Sequence, residues 1–328
     1  MLIISSLDAE VTKLAYPIEK MLVVGISGRA LFDLADEHEV YVNKGLDAYK
    51  KLQRDRENVP LRPGTAFHVV QALLSINSRL SERAVEVVVI SRNDGDTGLR
   101  IMNSVKAHSL DISRASFCGG RNAPSYFSAY NCKLFLSAEG DDVRSVILNK
   151  GAAAMVFPPP EGCCYETGEV RIAFDADAVV FSDEAEQVYQ AQGLPAFHKA
   201  EAEKAKIPLA PGPFKPFLEA LSAIQARFPE NSSPIRTAIV TARNAPAHER
   251  AIRTLRGWGI TVDEMHLLGG INKNGVLQVF HPHIFFDDQQ IHVESCAVPA
   301  AQVLYGVAAQ RKPPVSIGTE EVAVPNAK

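Results

Sequence analysis

Two aspartates, Asp175 and Asp177, stand one residue apart in "VRIAFDADAVVFSDEAE", where an apolar run that reads as a strand leaves the core. A strand end opening into a loop holds the backbone on one side and faces a ligand on the other, so reacting groups are often found there. Carboxylates so placed can attack an electrophile, move a proton or offer hard oxygens to a cation. The bland reading is a turn, because Asp is also a good turn former and helix cap. A second acidic pair, Asp287 and Asp288, ends the run "IFFDD". No His/Cys set surrounds these acids, so a bound metal is expected to be Mg²⁺ rather than zinc.

The elements that must position these residues are written twice. "VVVISRN" (Val87 to Asn93) returns as "AIVTARN" (Ala238 to Asn244), and each run is followed by a helical pattern and a Gly-Gly pair. Upstream, Tyr41, Gly45, Leu46, Pro60, Leu61, Pro63 and Gly64 answer Tyr189, Gly193, Leu194, Pro208, Leu209, Pro211 and Gly212 in the same order. Self-similarity of this kind sets the architecture before any single element is assigned. Continuous apolar runs such as "AVEVVVI" and "RTAIV" alternate with amphipathic helices, which predicts parallel strands buried on both faces. The expected fold is α/β, two Rossmann-like units, each with a parallel sheet and a helical cap insert. Ligands of such sheets lie beyond the carboxyl ends of the strands, where Asp175, Thr241 and Asp287 all fall. The expected division is 1–150 for a first, degenerate unit and 151–328 for a catalytic one, with its insert at about 183–233. The proline- and glycine-rich stretch Gly151 to Glu169 is read as the boundary. The tail after Gln310 is read as a surface extension or a partly disordered end.

Composition excludes several classes. With 328 residues, 46% of them hydrophobic and 22% charged, the chain reads as an ordinary soluble protein. A net charge of -4 leaves no basic excess for a nucleic-acid polymer. No run reaches membrane-spanning length and the start lacks the form of a signal peptide. Five cysteines, Cys118, Cys132, Cys163, Cys164 and Cys296, make no disulfide framework, and a reducing cytoplasm is expected. Cys163 and Cys164 are left unassigned.

In the second copy the reacting groups follow an order. Asp175-Ala176-Asp177-Ala178-Val179 fits DxDx[TV], "AIVT" ends in Thr241, Lys273 follows the Gly-Gly pair, and Asp287-Asp288 ends a strand. This resembles the haloacid dehalogenase-like (HAD) phosphohydrolases, whose four motifs are those residue types in that order. More narrowly, "AFDADAVVFSDEAE", "GPFKPFLEAL", "LLGGINKNGVL" and, in the first copy, "ISGRALFDLADEHEVY" resemble the cytosolic 5'-nucleotidase I family over nearly the whole chain. The family commonly has Gly at the place of Ala176 and Asp at the place of Asn272.

The resemblance implies Mg²⁺-dependent hydrolysis of nucleoside 5'-monophosphates through an aspartyl-phosphate. A phosphomonoester dianion repels a carboxylate nucleophile, so a cation and fixed donors must let Asp175 approach phosphorus. Expected metal ligands are Asp175, the main-chain carbonyl of Asp177, and one or both of Asp287 and Asp288. Thr241 would donate to a phosphoryl oxygen and Lys273 would bring charge to nucleophile and phosphate. Asp177 would protonate the leaving oxygen and then deprotonate water. Arg243, Asn244 and Lys215 are candidates for holding the substrate. Against this, Asn244 could cap the next helix, Lys215 could be a solvated lysine, and Trp258 reads as core. His248 is a weaker candidate.

In the first copy the catalytic positions are blank. Aligning the repeats sets Ile26 and Gly28 against Asp175 and Asp177, Ile90 against Thr241, Ala123 against Lys273, and Ser137 and Ala138 against Asp287 and Asp288. Turn formers could have stayed in both copies; these residues are lost as a set, which favours catalysis. Two other functions stay open: a phosphatase of another phosphomonoester such as a sugar phosphate, and a non-catalytic nucleotide-binding protein. Base preference and a homo-oligomeric state are not legible.

Overall fold

The computed structural model describes residues 17–309, apart from 164, 166–167 and 230–231. The residues after 309, with the tail expected as an extension, and Cys164 lie outside the described residues. Ten strands form one sheet: β1 (Leu22–Ile26), β4 (Val85–Ser91), β5 (Arg114–Phe117), β6 (Leu134–Ser137), β7 (Ala153–Val156), β8 (Val170–Phe174), β9 (Ile235–Thr241), β10 (Glu264–Leu267), β11 (Ile284–Asp287) and β12 (Ala300–Gln302). Two short strands, β2 (Phe32–Asp33) and β3 (Arg62–Pro63), pair separately. The long sheet runs β10-β9-β8-β11-β12-β7-β6-β1-β4-β5. Every neighbouring pair is parallel except β12 with β7 at the centre. Read inward from either edge, the order is therefore the same.

β7 lies inside the Pro/Gly stretch expected as a boundary. The short run "AAMV" is apolar enough to be buried beside β6, so the stretch both links the halves and closes the sheet between them. The core also ignores the boundary. Helix α2 (Phe67–Ser75) of the first half packs against β8, and helix α6 (Lys215–Gln225) of the second packs against β1. Phe174, Phe214, Phe217 and Phe286 meet at ring distances of 4.7 to 6.3 Å within one apolar cluster that includes Leu22, Val24 and Ile26. All seven residues of β4 are buried, as expected of a parallel strand covered on both faces.

Each half sends out a long helix, α1 (Ala35–Asp55) and α5 (Glu184–Glu203). Both break at a glycine with positive φ, Gly45 at 81° and Gly193 at 79°, a conformation costly for other residues. The chain beyond α5 returns where Phe181 bridges Pro211. Within the stretch 183–233, then, α5 packs on the turn Ala176–Val180 and on the helix His248–Trp258, whereas α6 buries Phe217, Leu218 and Leu221 in the core. Gly212 is pressed against the backbone here, since an added Cβ would lie 2.3 Å from the Phe181 oxygen.

Strand registers correct three of the sequence pairings. Ile26 faces Leu136 on β6 and Phe174 faces Phe286 on β11, and the residue after each donates its N–H to that partner strand. Ser27 therefore holds the place of Asp175, and Arg29 that of Asp177. Val89 pairs Ile26 as Ile239 pairs Phe174, so Ser91, not Ile90, holds the place of Thr241. Similarity around "SRN" and "ARN" had pulled that alignment by one residue.

Candidate active site

Asp175 is the first residue beyond β8, fixed by its N–H to the Phe286 carbonyl at 2.7 Å. The next residues form one tight turn, with Asp177 extended and Ala178 left-handed at φ 59°. A non-glycine residue at positive φ is uncommon and costs energy, and here it directly follows Asp177. Asp175 turns back to the sheet, and Asp177 turns toward the cap.

Lys273, at the start of helix α8 (Asn274–Phe280), reaches under the sheet edge. Its Nζ donates to Asp175 Oδ1 at 2.8 Å and Asp287 Oδ2 at 2.6 Å, all three side chains being buried. Asp287 also lies 3.1 Å from His292 Nδ1, on the short helix after β11. Asp288 completes the cluster: carboxylate oxygens of Asp175, Asp287 and Asp288 lie within 4.8 Å of one another. Among the described residues the Asp288 side chain has no ion pair and no hydrogen bond, though it is 2% exposed. Burial, reinforced by Asp287 and Asp175, holds its carboxyl well above the ordinary range. Burial likewise raises Asp175, with Lys273 opposing. At Asp287 burial is outweighed by Lys273 and His292, which hold the carboxyl low. Three buried acids against one lysine leave uncompensated negative charge, and their donors are all hard oxygens. Such a set suits a divalent cation.

Asp177 is outside that side-chain cluster. Arg243 grips it with two parallel bonds, Nε to Oδ2 at 2.8 Å and Nη2 to Oδ1 at 2.6 Å. Arg243 also donates to Glu201 on the cap helix α5, and Arg250, on helix α7 (His248–Trp258), holds the other Glu201 oxygen at 2.8 Å. Arg243, Glu201 and Arg250 are buried, so the proposed acid is wired to the cap through a desolvated chain of charges. Thr241, at the end of β9, accepts from the Arg243 N–H at 3.2 Å and so also shapes this turn.

The remaining candidates are placed as follows. Asn244 Oδ1 accepts from Nε2 of His198, on α5, at 3.0 Å. His248 begins helix α7, and its Nδ1 is buried with no hydrogen-bond partner among the described residues. Lys215 pairs with Glu219 and lies 5.2 Å from the half-buried Trp258 ring, apart from the acidic cluster. Sequence reasoning missed Glu201, Arg250, His198 and His292. One signal was present for the first two, since Gln53 and Arg100 occupy matching places in the repeat and touch at 3.2 Å. It also missed the cap aromatics: Tyr189 and Phe197 meet edge to face at 6.5 Å, and Phe197 lies 5.6 Å from the Arg243 guanidinium.

A buried acid cluster with one lysine, at the carboxyl edge of a large, mostly parallel sheet, sets the site within a mixed α/β protein. The sequence model of the family described as 5'-nucleotidase matches residues 14–310. The chain is 36% identical over 296 residues to human (Homo sapiens) cytosolic 5'-nucleotidase 1B, covering 87% of this chain and 48% of that protein. No solved structure matches the chain. The chain belongs to the 5'-nucleotidase family, and it spans about half the length of this human relative. Among the described residues no helix is long and apolar enough to cross a membrane.

Proposed function

We propose that this chain is a Mg²⁺-dependent 5'-nucleotidase that releases phosphate from nucleoside 5'-monophosphates in the cytoplasm. Its fold would be a duplicated HAD-like unit with chemistry only in the second half. The observation that carries the reading is the convergence of Asp175, Lys273, Asp287 and Asp288 in one buried cluster. The family match and the name of the human relative support the substrate class.

A cation held by Asp175, Asp287, Asp288 and the Asp177 carbonyl would supply charge against the phosphate dianion. Lys273 keeps Asp175 ionised and aimed. An Asp175 oxygen attacks phosphorus, the bond from phosphorus to the ribose 5'-oxygen breaks, and that oxygen takes a proton from Asp177. Water, deprotonated by Asp177, then cleaves the aspartyl-phosphate and restores Asp175. Arg243 occupies both Asp177 oxygens, so proton delivery requires that grip to loosen, and the bond from Arg243 to Glu201 ties this to the position of α5. Thr241 supplies a hydroxyl donor at the strand end. Tyr189, about half exposed, offers a ring to the base, with the buried Phe197 packed behind it. That aromatic surface favours a nucleotide over a sugar phosphate. Phosphate release from a panel of nucleotides and sugar phosphates, with and without Mg²⁺, tests the proposal; release from sugar phosphates alone would overturn it.

A further inference from the structure

The first half carries a cavity of about 450 Å³ beyond the carboxyl ends of β1 and β4, at the place corresponding to the acid cluster of the second. That volume suits a small-molecule site. One end is polar, with Ser27, Arg29, Ser91 and Arg92; the other is formed by the cap residues Tyr41 and Tyr49. We infer that this cavity binds a nucleotide, ring under the cap and phosphate at the strand ends, without a metal and without hydrolysing it. The inference rests on the nucleotide reading of the second half, because the recognition surface is shared between the two.

The likeness is close where binding is concerned. Tyr41 and Tyr49 meet edge to face at 6.0 Å and 79°, as Tyr189 and Phe197 do at 6.5 Å and 81°. Tyr41 and Tyr189 are 48% and 47% exposed, and Leu46 and Leu194 are 52% and 51% exposed. Apolar groups left open to this extent on the inner side of a cavity gain most from a planar ligand. The Tyr49 hydroxyl donates to Asn93 at 3.1 Å, at the place where Arg243 serves the second half.

The two polar ends differ. Among the described residues the only three-carboxylate cluster is that of Asp175, Asp287 and Asp288, so the first half has no equivalent cation site. Its charged side chains are paired as Arg29 with Glu139, Arg92 with Asp142 and Lys50 with Asp94, and each of the two guanidinium groups uses a single carboxylate oxygen. Their side chains are partly exposed. A guanidinium has five donors, and those left over suit phosphate oxygens. Chemistry is absent for stated reasons: Ser27 accepts the Ala30 N–H at 3.2 Å, Ser137 accepts the Glu139 N–H at 3.1 Å, and Ala123 replaces the lysine.

The test is titration calorimetry of the full chain with adenosine 5'-monophosphate in excess chelator, paired with hydrogen exchange. Binding is expected without metal, with protection of segments 27–29, 41–50 and 91–93. Tyr49→Ala should weaken this binding by about tenfold or more, as loss of one stacking ring does, and Arg29→Ala should weaken it too, whereas Phe197→Ala should leave it unchanged. No metal-free binding, or binding abolished by Phe197→Ala and indifferent to Tyr49→Ala, would overturn the inference. Should a variant fail to fold, protection of those segments in the unaltered protein decides. Metal-free binding with no phosphate release under Mg²⁺ would instead sink the proposed catalysis and leave this site standing.

Discussion

Replacing Lys273 with Met separates the electrostatics of the cluster from its packing. Lys273 is 7% exposed and bonds two carboxylates that are themselves buried. Methionine fills much the same volume, so the cavity contribution is small. The ammonium, however, is lost, and Asp175 and Asp287 are left facing Asp288. Removing one partner of a buried ion pair costs about 3–5 kcal/mol because the remaining charge stays desolvated. At about 2 °C per kcal/mol, the scale for a large domain, the unfolding midpoint should fall by at least about 6 °C in chelator. Mg²⁺ should recover much of it, since a cation at a hundred times its dissociation constant contributes about 2.7 kcal/mol. The assay is thermal or urea unfolding followed by fluorescence of Trp258, the single tryptophan, whose ring lies 5.5 Å from that of Phe181. A loss below about 1 kcal/mol in chelator, or no difference between chelator and Mg²⁺, would refute the picture of uncompensated buried acids.

Thr241→Ala should lower turnover by about a hundredfold or more, the usual effect of losing one donor to a developing charge; unchanged turnover would remove Thr241 from the site. Glu201→Gln should lower turnover more than it raises KM, because it disturbs the Arg243 grip on Asp177 rather than the ring contacts, and steady-state kinetics would show the split. Tyr189→Ala should raise KM for nucleotides by about tenfold and leave a simple aryl phosphate unaffected. Residues 151–328 expressed alone should be insoluble or lose substrate discrimination, since helix α6 would lose β1 and β8 would lose helix α2; a soluble half with full-length kinetics would contradict this.

The α/β class and the parallel strands were legible because buried parallel strands are apolar throughout, as "VEVVVIS" is, and because the chain repeats its pattern. The places of the candidate residues were legible because each ends such a run: Asp175 after β8, Thr241 on β9, Asp287 on β11. What escaped depends on side chains far apart in sequence. Glu201 and Arg250 look like solvated helix charges until α5 packs on α7, and His292 looks unremarkable until its helix turns it back on Asp287. β7 escaped because four apolar residues among prolines and glycines read as a linker, and only its two neighbours make it a strand. The one-residue error at Ser27 arose for a related reason: local likeness sets an alignment loosely, whereas a strand register sets it by hydrogen bonds.

The most direct test of the central claim is phosphate release from nucleoside 5'-monophosphates by the unaltered chain and by Asp175→Asn, each with Mg²⁺ and with excess chelator. The account predicts release only from the unaltered chain with Mg²⁺, and a loss on the order of a thousandfold or more in the variant, whose amide cannot form the acyl-phosphate. Near-normal release by Asp175→Asn, or full release in chelator, would contradict it.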